Sequence, residues 1–394
     1  MKKMKVAYFD NAASTPVDPR VLSAMLPWFS ESYANSSALH SMAQHARHAI
    51  EEARQAAAEL LGASDPSEII FTSGATEGNN AVLRTFQGRI LYSAIEHPSV
   101  RVVAQSFGRR AEPIPVDSSG TVRLDALKAM LAQPTDLVSV MLVNNEIGSV
   151  QDIQAIGELA HSHGALFHTD ITQAVGKGPL SLADAPVDYA TLSAHKFHGP
   201  KGVGLLWVRS DAPFQPYQVG GSHEEGRRAG TLNTPGIVGL GAACRLVIDE
   251  GESEAARLRA MRDRIREEIR RRIPDAVLNG QEDGAPHIVS VSFPGVEGES
   301  IIINLDSRGI CCTAGAACSS DKRASSPVLE AIALPQEVLA GTIRISLGRF
   351  TTEAEVDYLL ENLPEALCEV RGLHLPLRVS PSPQPFPPTG RGGV

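Results

Sequence analysis

Ser193-Ala194-His195-Lys196-Phe197-His198-Gly199-Pro200-Lys201-Gly202 lies between two apolar runs, Val187-Asp188-Tyr189-Ala190-Thr191-Leu192 and Val203-Gly204-Leu205-Leu206-Trp207-Val208. Each run reads as a core strand, and the glycines and proline between them force a tight return. A hydroxyl, an imidazole and an amine therefore sit at the mouth of two strands. A lysine in that position is either a snorkelling surface residue or a nucleophile. The sequence around it bears on which.

Upstream, short apolar runs alternate with helical patterns. Strands are expected over 68–71, 89–94, 137–143 and 165–169, and helices over 98–107, 124–131 and 153–163. Thr72-Ser73-Gly74-Ala75-Thr76-Glu77 is a small-residue turn opening a further helix. Such alternation implies right-handed βαβ units on a mainly parallel sheet, with ligands beyond the carboxyl ends of the strands. Before this, Tyr8-Phe9 reads as a short strand running into the turn Asp10-Asn11-Ala12-Ala13-Ser14-Thr15-Pro16. Helices are expected over 19–29 and 42–61. After Gly236 a long helical stretch runs to about residue 273, with a break expected near Glu250-Gly251. A strand over 287–293, a helix over 298–307, a small-residue loop around Cys318, a strand over 341–347 and a helix over 351–369 complete the pattern. The fold class is α/β: a large domain over 16–245 with a mainly parallel sheet, and a smaller α+β domain from 1–15 and 246–375. The Pro- and Gly-rich segment 376–394 reads as a disordered tail, because it carries too little apolar surface to order itself.

Composition narrows the function. The 394 residues are 43% hydrophobic and 21% charged, with a formal net charge of -9. That balance argues against nucleic acid as the main partner. Arginines over 257–272 alternate with acidic residues at helical spacing and read as a solvated helix face. No apolar run is long enough to span a bilayer, and no signal-type apolar segment follows the basic start, so a cytoplasmic location is expected. The five cysteines (Cys244, Cys311, Cys312, Cys318 and Cys368) match neither a disulfide framework nor a CxxC zinc site. His161 and His163, like His40, His45 and His48, lack the carboxylate or thiol that would complete a metal site.

The strand ends carry the chemistry. Thr72 to Thr76 is either a phosphate cradle at a helix N-terminus or an ordinary N-cap. His97 follows a strand and either faces a ring and shuttles protons or is a satisfied histidine. Asn144 and Asn145 end another strand, as ligand contacts or as turn formers. Asp170 ends a core strand, where a buried carboxylate needs a cationic partner: a protonated heterocyclic nitrogen or a lysine. Gln173 lies three residues on. A phosphate cradle, a ring-facing histidine, an anion for a ring nitrogen and an amine are together what pyridoxal phosphate requires.

In order along the chain, Asp10-Asn11-Ala12-Ala13-Ser14-Thr15-Pro16, Phe71-Thr72-Ser73-Gly74-Ala75-Thr76-Glu77, Glu96-His97, Val143-Asn144-Asn145-Glu146-Ile147-Gly148, His168-Thr169-Asp170, Ser193-Ala194-His195-Lys196, Arg227-Arg228-Ala229-Gly230-Thr231, Ala317-Cys318-Ser319-Ser320 and Arg344-Ile345-Ser346-Leu347-Gly348-Arg349 resemble the motifs of cysteine desulfurases. These form part of the class V branch of the fold-type I pyridoxal-phosphate enzymes. The resemblance runs from about Tyr8 to about Leu373. It implies that Lys196 bonds the cofactor's aldehyde, Asp170 pairs with its ring nitrogen and Gln173 with its ring hydroxyl. His97 would stack on the ring and help move protons. Ala75, Thr76, Ser193 and His195 would hold the phosphate, with Thr231 reaching the phosphate of a neighbouring subunit in a homodimer. Asn145, also a cofactor contact, and Arg344 would bind the carboxylate of L-cysteine.

Cys318 would collect the sulfur as a persulfide and pass it to an acceptor such as an iron–sulfur scaffold protein, with at most a transient role as a cluster ligand. The spacing from Cys318 onward matches the long-loop branch. Thr313-Ala314-Gly315-Ala316-Ala317 departs from the branch's usual Ser-Ser-Gly-Ser-Ala, losing two hydroxyls beside the thiol. Cys311 and Cys312 read as small strand residues or, functionally, as a resolving thiol or cluster ligand. An aminotransferase or selenocysteine lyase would share the fold, but simple transamination needs no mobile thiol. A non-catalytic assembly subunit would not need Lys196, Asp170, His97 and Cys318 together.

Overall fold

The structure, a computed structural model, describes residues 6–182, 184–315 and 326–372. Cys318 and the segment 376–394 lie outside these residues. The chain begins with β1 (Ala7–Tyr8), α1 (Pro19–Met25), α2 (Pro27–Ser30) and α3 (Ser41–Leu61). Pro27 sits at the first position of its own helix, so the single helix expected over 19–29 is two. Next come β2 (Ile69–Thr72), α4 (Ala75–Thr85), β3 (Ile90–Ser93), α5 (Pro98–Gln105), β4 (Ala111–Ile114), α6 (Leu124–Met130), β5 (Leu137–Ser139), α7 (Ile153–Ser162), β6 (Leu166–Asp170), β7 (Tyr189–Ser193) and β8 (Gly204–Val208).

These strands form one seven-stranded sheet in the order β2-β8-β7-β6-β5-β3-β4. All neighbouring pairs are parallel except those of β8, which runs antiparallel to β7 and to β2. The cause is the opening stretch. The connection from Ser193 to Gly204 is too short for a parallel crossover, so the chain can only fold straight back. Side chains alternate between two buried faces. Ile69, Phe71, Ala190, Leu192, Leu205 and Trp207 enter one core, while Ile70, Tyr189, Leu206 and Val208 enter the other. Burial on both faces explains the unbroken apolar runs that mark these strands. The strand expected over 137–143 narrows to Leu137–Ser139, but the N–H groups of Val140 and Leu142 still donate to His168 O and Asp170 O at 3.0 Å. β4 was not expected; its Ala-Glu-Pro-Ile has no alternating pattern, and it sits at the sheet edge, where Pro113 is tolerated.

The remainder is α8 (Thr234–Arg272), β9 (Val277–Asn279), β10 (Ile288–Ser292), α9 (Gly298–Ser307), β11 (Ile310–Cys311), β12 (Thr313–Ala314), α10 (Pro327–Ala331), α11 (Gln336–Leu339), β13 (Thr342–Ser346) and α12 (Glu353–Val370). A four-stranded antiparallel sheet runs β12-β13-β10-β9, and β1 pairs with β11. Phe9, Val289, Phe293, Ile343, Ile345 and Leu359 are among its core residues. The break expected at Glu250-Gly251 does not occur: α8 is continuous across it. A helical glycine costs only about 1 kcal/mol. Here it also makes room, since an added Cβ would stand 3.3 Å from Val247 Cγ1 and 3.8 Å from Gly176 Cα. α8 joins the two cores, burying Ile237, Leu240 and Cys244 in the first and Leu258, Met261 and Ile265 in the second. The spacing of its arginines predicts a solvated face, but not all of them are solvated. Arg262 and Arg266 are buried, Arg262 donating to the carbonyls of Gly284 and Ala285 and Arg266 to Glu282 at 2.8 Å.

Candidate active site

The carboxyl ends of β3, β5, β6 and β7 open on one edge of the large sheet, where the chain delivers His97, Asn145, Asp170 and Lys196. Lys196 follows β7 within the short return, and its Nζ donates to the carbonyls of Ala12 and Ala13, both at 2.8 Å. Gln173 Nε2 donates to the same Ala12 oxygen at 2.8 Å, so the amine and this amide meet at one point. Gln173 Oε1 is 3.1 Å from His287 Nε2. Burial keeps His287 well below the usual histidine range, so it is neutral and donates through Nε2.

Asp170 is buried, with one oxygen accepting from Thr172 N at 2.9 Å and the other from Asn79 Nδ2 at 2.8 Å. His97 caps α5: its Nδ1 accepts from Ser99 N at 3.1 Å and lies 2.8 Å from Ser99 Oγ. Burial lowers its pKa, with the Asp170 charge opposing and the Lys196 charge reinforcing the shift, so His97 lies within electrostatic reach of both. Glu96 beside it accepts from Met141 N at 2.7 Å and is buried, which raises its pKa well above the ordinary carboxyl value.

At the N-terminus of α4 a cavity of about 430 Å³ is lined by Ser14, Ser73, Gly74, Thr76, Ser193, His195 and Lys201, among others. Two glycines bring the walls together. Gly74 has φ 152°, and a Cβ on Gly204 would stand 2.7 Å from Gly74 Cα. The N–H of Ala75 is occupied, donating to Ser193 Oγ at 2.8 Å, which leaves the Ser193 hydroxyl proton for a ligand. Burial and the charges of Lys196 and Lys201 push His195 down to about 4, so it meets the cavity neutral. The sequence reading missed Lys201, whose place in the return behind Pro200 gave no signal. Hydroxyls, a neutral imidazole, a lysine and a helix N-terminus suit a phosphate.

Across from Lys196, Arg344 on β13 donates through Nη2 to Asp10 Oδ1 at 2.7 Å and through Nη1 to the Asn145 carbonyl at 2.9 Å. Its Nε is buried without a partner among the described residues. The turn from Asp10 to Ser14 ties the two sides together. Its carbonyls hold Lys196, while Asn11 Nδ2 donates to Ser346 O at 2.9 Å and Ala12 N to Ser346 Oγ at 2.9 Å. Asn144 is a turn former and not a ligand contact: its Oδ1 accepts from the N–H groups of Glu146 and Ile147, and its Nδ2 donates to Ile95 O. Thr231 is exposed and does not line the α4 cavity, although Arg228 pairs with Glu77 of α4 at 2.8 Å. Cys312 is forced up to about 12 by burial, and burial and Asp306 raise Cys311, so neither is a ready thiolate.

A buried carboxylate with two donors already on it, an amine parked on carbonyls and a phosphate-type cavity share one want: a flat, cationic, phosphorylated ring lying between them. Pyridoxal phosphate is such a ring, and the donor set fits it. The chain belongs to the aminotransferase class-V family, whose model matches residues 7–359; members of this family use pyridoxal phosphate. Within it, the chain is 44% identical to a cysteine desulfurase of Cereibacter sphaeroides, over 94% of this chain and 98% of that protein. It is 41% identical to a cysteine desulfurase of Nostoc sp., over 94% and 95%. A solved NifS-like protein superposes with a TM-score of 0.86 at 36% identity, covering 93% of this chain and all of that one. SspA in complex with cysteine superposes with a TM-score of 0.77 at 35% identity, covering 88% and 99%.

Proposed function

We propose that this chain is a pyridoxal-phosphate-dependent cysteine desulfurase that converts L-cysteine to L-alanine and retains the sulfur as a persulfide on Cys318. The observation that carries the reading is that Lys196 and Gln173 meet at the Ala12 carbonyl within electrostatic reach of His97 and Asp170. When bound, the cofactor supplies an electron-accepting ring that makes the substrate's carbon–sulfur bond labile.

The protein's residues divide the remaining work. Lys196 would leave its carbonyls to hold the cofactor's aldehyde, Asp170 its ring nitrogen and Gln173 its ring hydroxyl. Thr76, Ser193 and His195, with Lys201, would hold the phosphate, and Ala75, whose N–H is given to Ser193 Oγ, would act through that hydroxyl. Asn145 and Arg344 would take the substrate carboxylate, the guanidinium matching it as a planar fork. His97 has Nδ1 engaged by Ser99, so any proton it moves passes through Nε2. In the overall exchange the substrate C–S bond breaks and an S–S bond forms on the Cys318 thiolate. The carbon gains a proton and leaves as alanine, so no external oxidant is required.

The same reading makes the functional unit a homodimer in which Thr231 serves the neighbouring phosphate, and the location cytoplasmic. It divides the chain into a cofactor-binding part over 16–245 and a smaller part from 1–15 and 246–375, supported by the separate core that holds Phe9. It sends the sulfur to an acceptor such as an iron–sulfur scaffold protein. The test is incubation with L-cysteine and pyridoxal phosphate, measuring alanine together with a mass gain of one sulfur on the Cys318 peptide. Borohydride reduction should fix the cofactor to the Lys196 peptide and to no other. Alanine without sulfur on Cys318, or a cofactor trapped elsewhere, overturns the assignment.

A further inference from the structure

Among the polar side chains fully buried beside the strand-end residues is Asn79. Asn79 lies one turn into α4, on the face turned to the sheet. Gly78 lets the helix rest on β7, since a Cβ there would stand 2.8 Å from Thr191 Cγ2. Asn79 consequently reaches past the sheet surface, and its amide is fully used. Nδ2 donates to Asp170 Oδ2 and to Ser99 Oγ, both at 2.8 Å, and Oδ1 accepts from Thr191 Oγ1 at 2.6 Å. Reversing the amide would set its oxygen 2.8 Å from a carboxylate oxygen, so the neighbours allow one orientation only.

That orientation sets the direction of every hydrogen bond beyond it. Ser99 Oγ accepts from Asn79, so its own proton points to His97 Nδ1, 2.8 Å away. The Ser99 N–H donates to the same nitrogen. Nδ1 is thus an acceptor twice over, and the proton of the neutral imidazole is confined to Nε2. We propose that Asn79 is a positioning residue that couples Asp170 to His97. One amide both fixes the position of the carboxylate and fixes which imidazole nitrogen carries the proton. The inference rests on reading Asp170 and His97 as the ring-facing groups. The titratable groups around Asp170 are Glu96, His97 and His168; Lys196 lies beside His97.

The decisive variant is Asn79→Asp. An aspartate offers no donor, so Ser99 turns its proton to the new carboxylate and presents an acceptor to His97. The Nε2–H to Nδ1–H ratio of His97, read by nitrogen-15 NMR on histidine-labelled full-length chain, should fall about tenfold, one ordinary hydrogen bond's worth. In the holoenzyme the two facing carboxylates share a proton, and the midpoint of the cofactor's absorption titration should move by about one pH unit or more. Ser99→Ala should loosen the tautomer and leave that midpoint in place. A folded Asn79→Asp protein with the tautomer ratio unchanged overturns the coupling, whatever the midpoint does. If Asn79→Asp does not fold, Asn79→Leu decides, because it removes the donor to Ser99 without adding charge: an unchanged tautomer ratio again overturns the proposal. A wild-type chain that fails to bind the cofactor would instead overturn the proposed function, since the tautomer measurement needs no cofactor.

Discussion

Arg344→Lys separates carboxylate recognition from mere positive charge. Arg344 is buried on a central strand of the second sheet and spends two N–H groups on Asp10 and the Asn145 carbonyl, while Nε has no partner among the described residues. Its fork can therefore turn from these contacts to two oxygens of one carboxylate. Lysine keeps the charge but offers a point donor, and the lost charge-assisted hydrogen bond is worth about 1.5–3 kcal/mol, or a loss of about 10- to 150-fold in kcat/KM. Arg344→Ala should cost more, because Asp10 then faces the incoming carboxylate without its cation. The loss should fall mainly on KM, since the carboxylate contact is the same before and during reaction. The assay is alanine formation across L-cysteine concentrations, compared with turnover of cysteamine, which lacks the carboxylate. A change in kcat/KM of less than about threefold for Arg344→Lys would refute the reasoning. So would an equal loss on cysteamine.

Cys318→Ser should still bind L-cysteine, seen as a change in the cofactor's absorption, yet yield no protein persulfide; sulfide release at the wild-type rate would remove Cys318 from its role. Glu224→Ala should destabilise the fold by about 3–5 kcal/mol, because a buried pair is broken and the other partner is left behind. The buried Glu224 carboxylate holds Arg54 Nη2 at 2.7 Å and the β2 N–H of Phe71 at 2.8 Å. A shift in the urea midpoint equivalent to less than about 1 kcal/mol would contradict this. Acid should weaken the protein early. Burial holds His168, His195 and His198 down to about 4, and His97 and His287 shift the same way. Unfolded histidines protonate near pH 6.5 while these stay neutral in the fold, so stability is full above about 6.5 and declines as pH falls towards 4. Urea midpoints that stay level between pH 7 and 5 would show that these histidines protonate in place.

Most of the elements and reactive groups are legible in local sequence. Period-2 and period-3.6 patterns are local, so the strands around Lys196 and the helix from Gly298 to Ser307 were legible, as was the tight return at Ser193 to Gly202. It also supplied the lysine, the histidine and the aspartate at strand ends, since a polar residue ending an apolar run needs no tertiary knowledge to be noticed. Local pattern failed where a distant backbone settles the matter. Gly251 reads locally as a helix break although α8 runs through it, and Arg262 reads as solvated although it donates to the carbonyls of Gly284 and Ala285. Asn79 is the sharpest case. Nothing in Glu77-Gly78-Asn79-Asn80 separates the buried amide from the half-buried one beside it. Only the order of strands in the sheet, which sets Asp170, Thr191 and Ser99 around the same helix face, decided that this amide would join the carboxylate to the imidazole. Hydrogen-bond partners so far apart along the chain are chosen by sheet topology and close packing, and neither is written in any short stretch of residues.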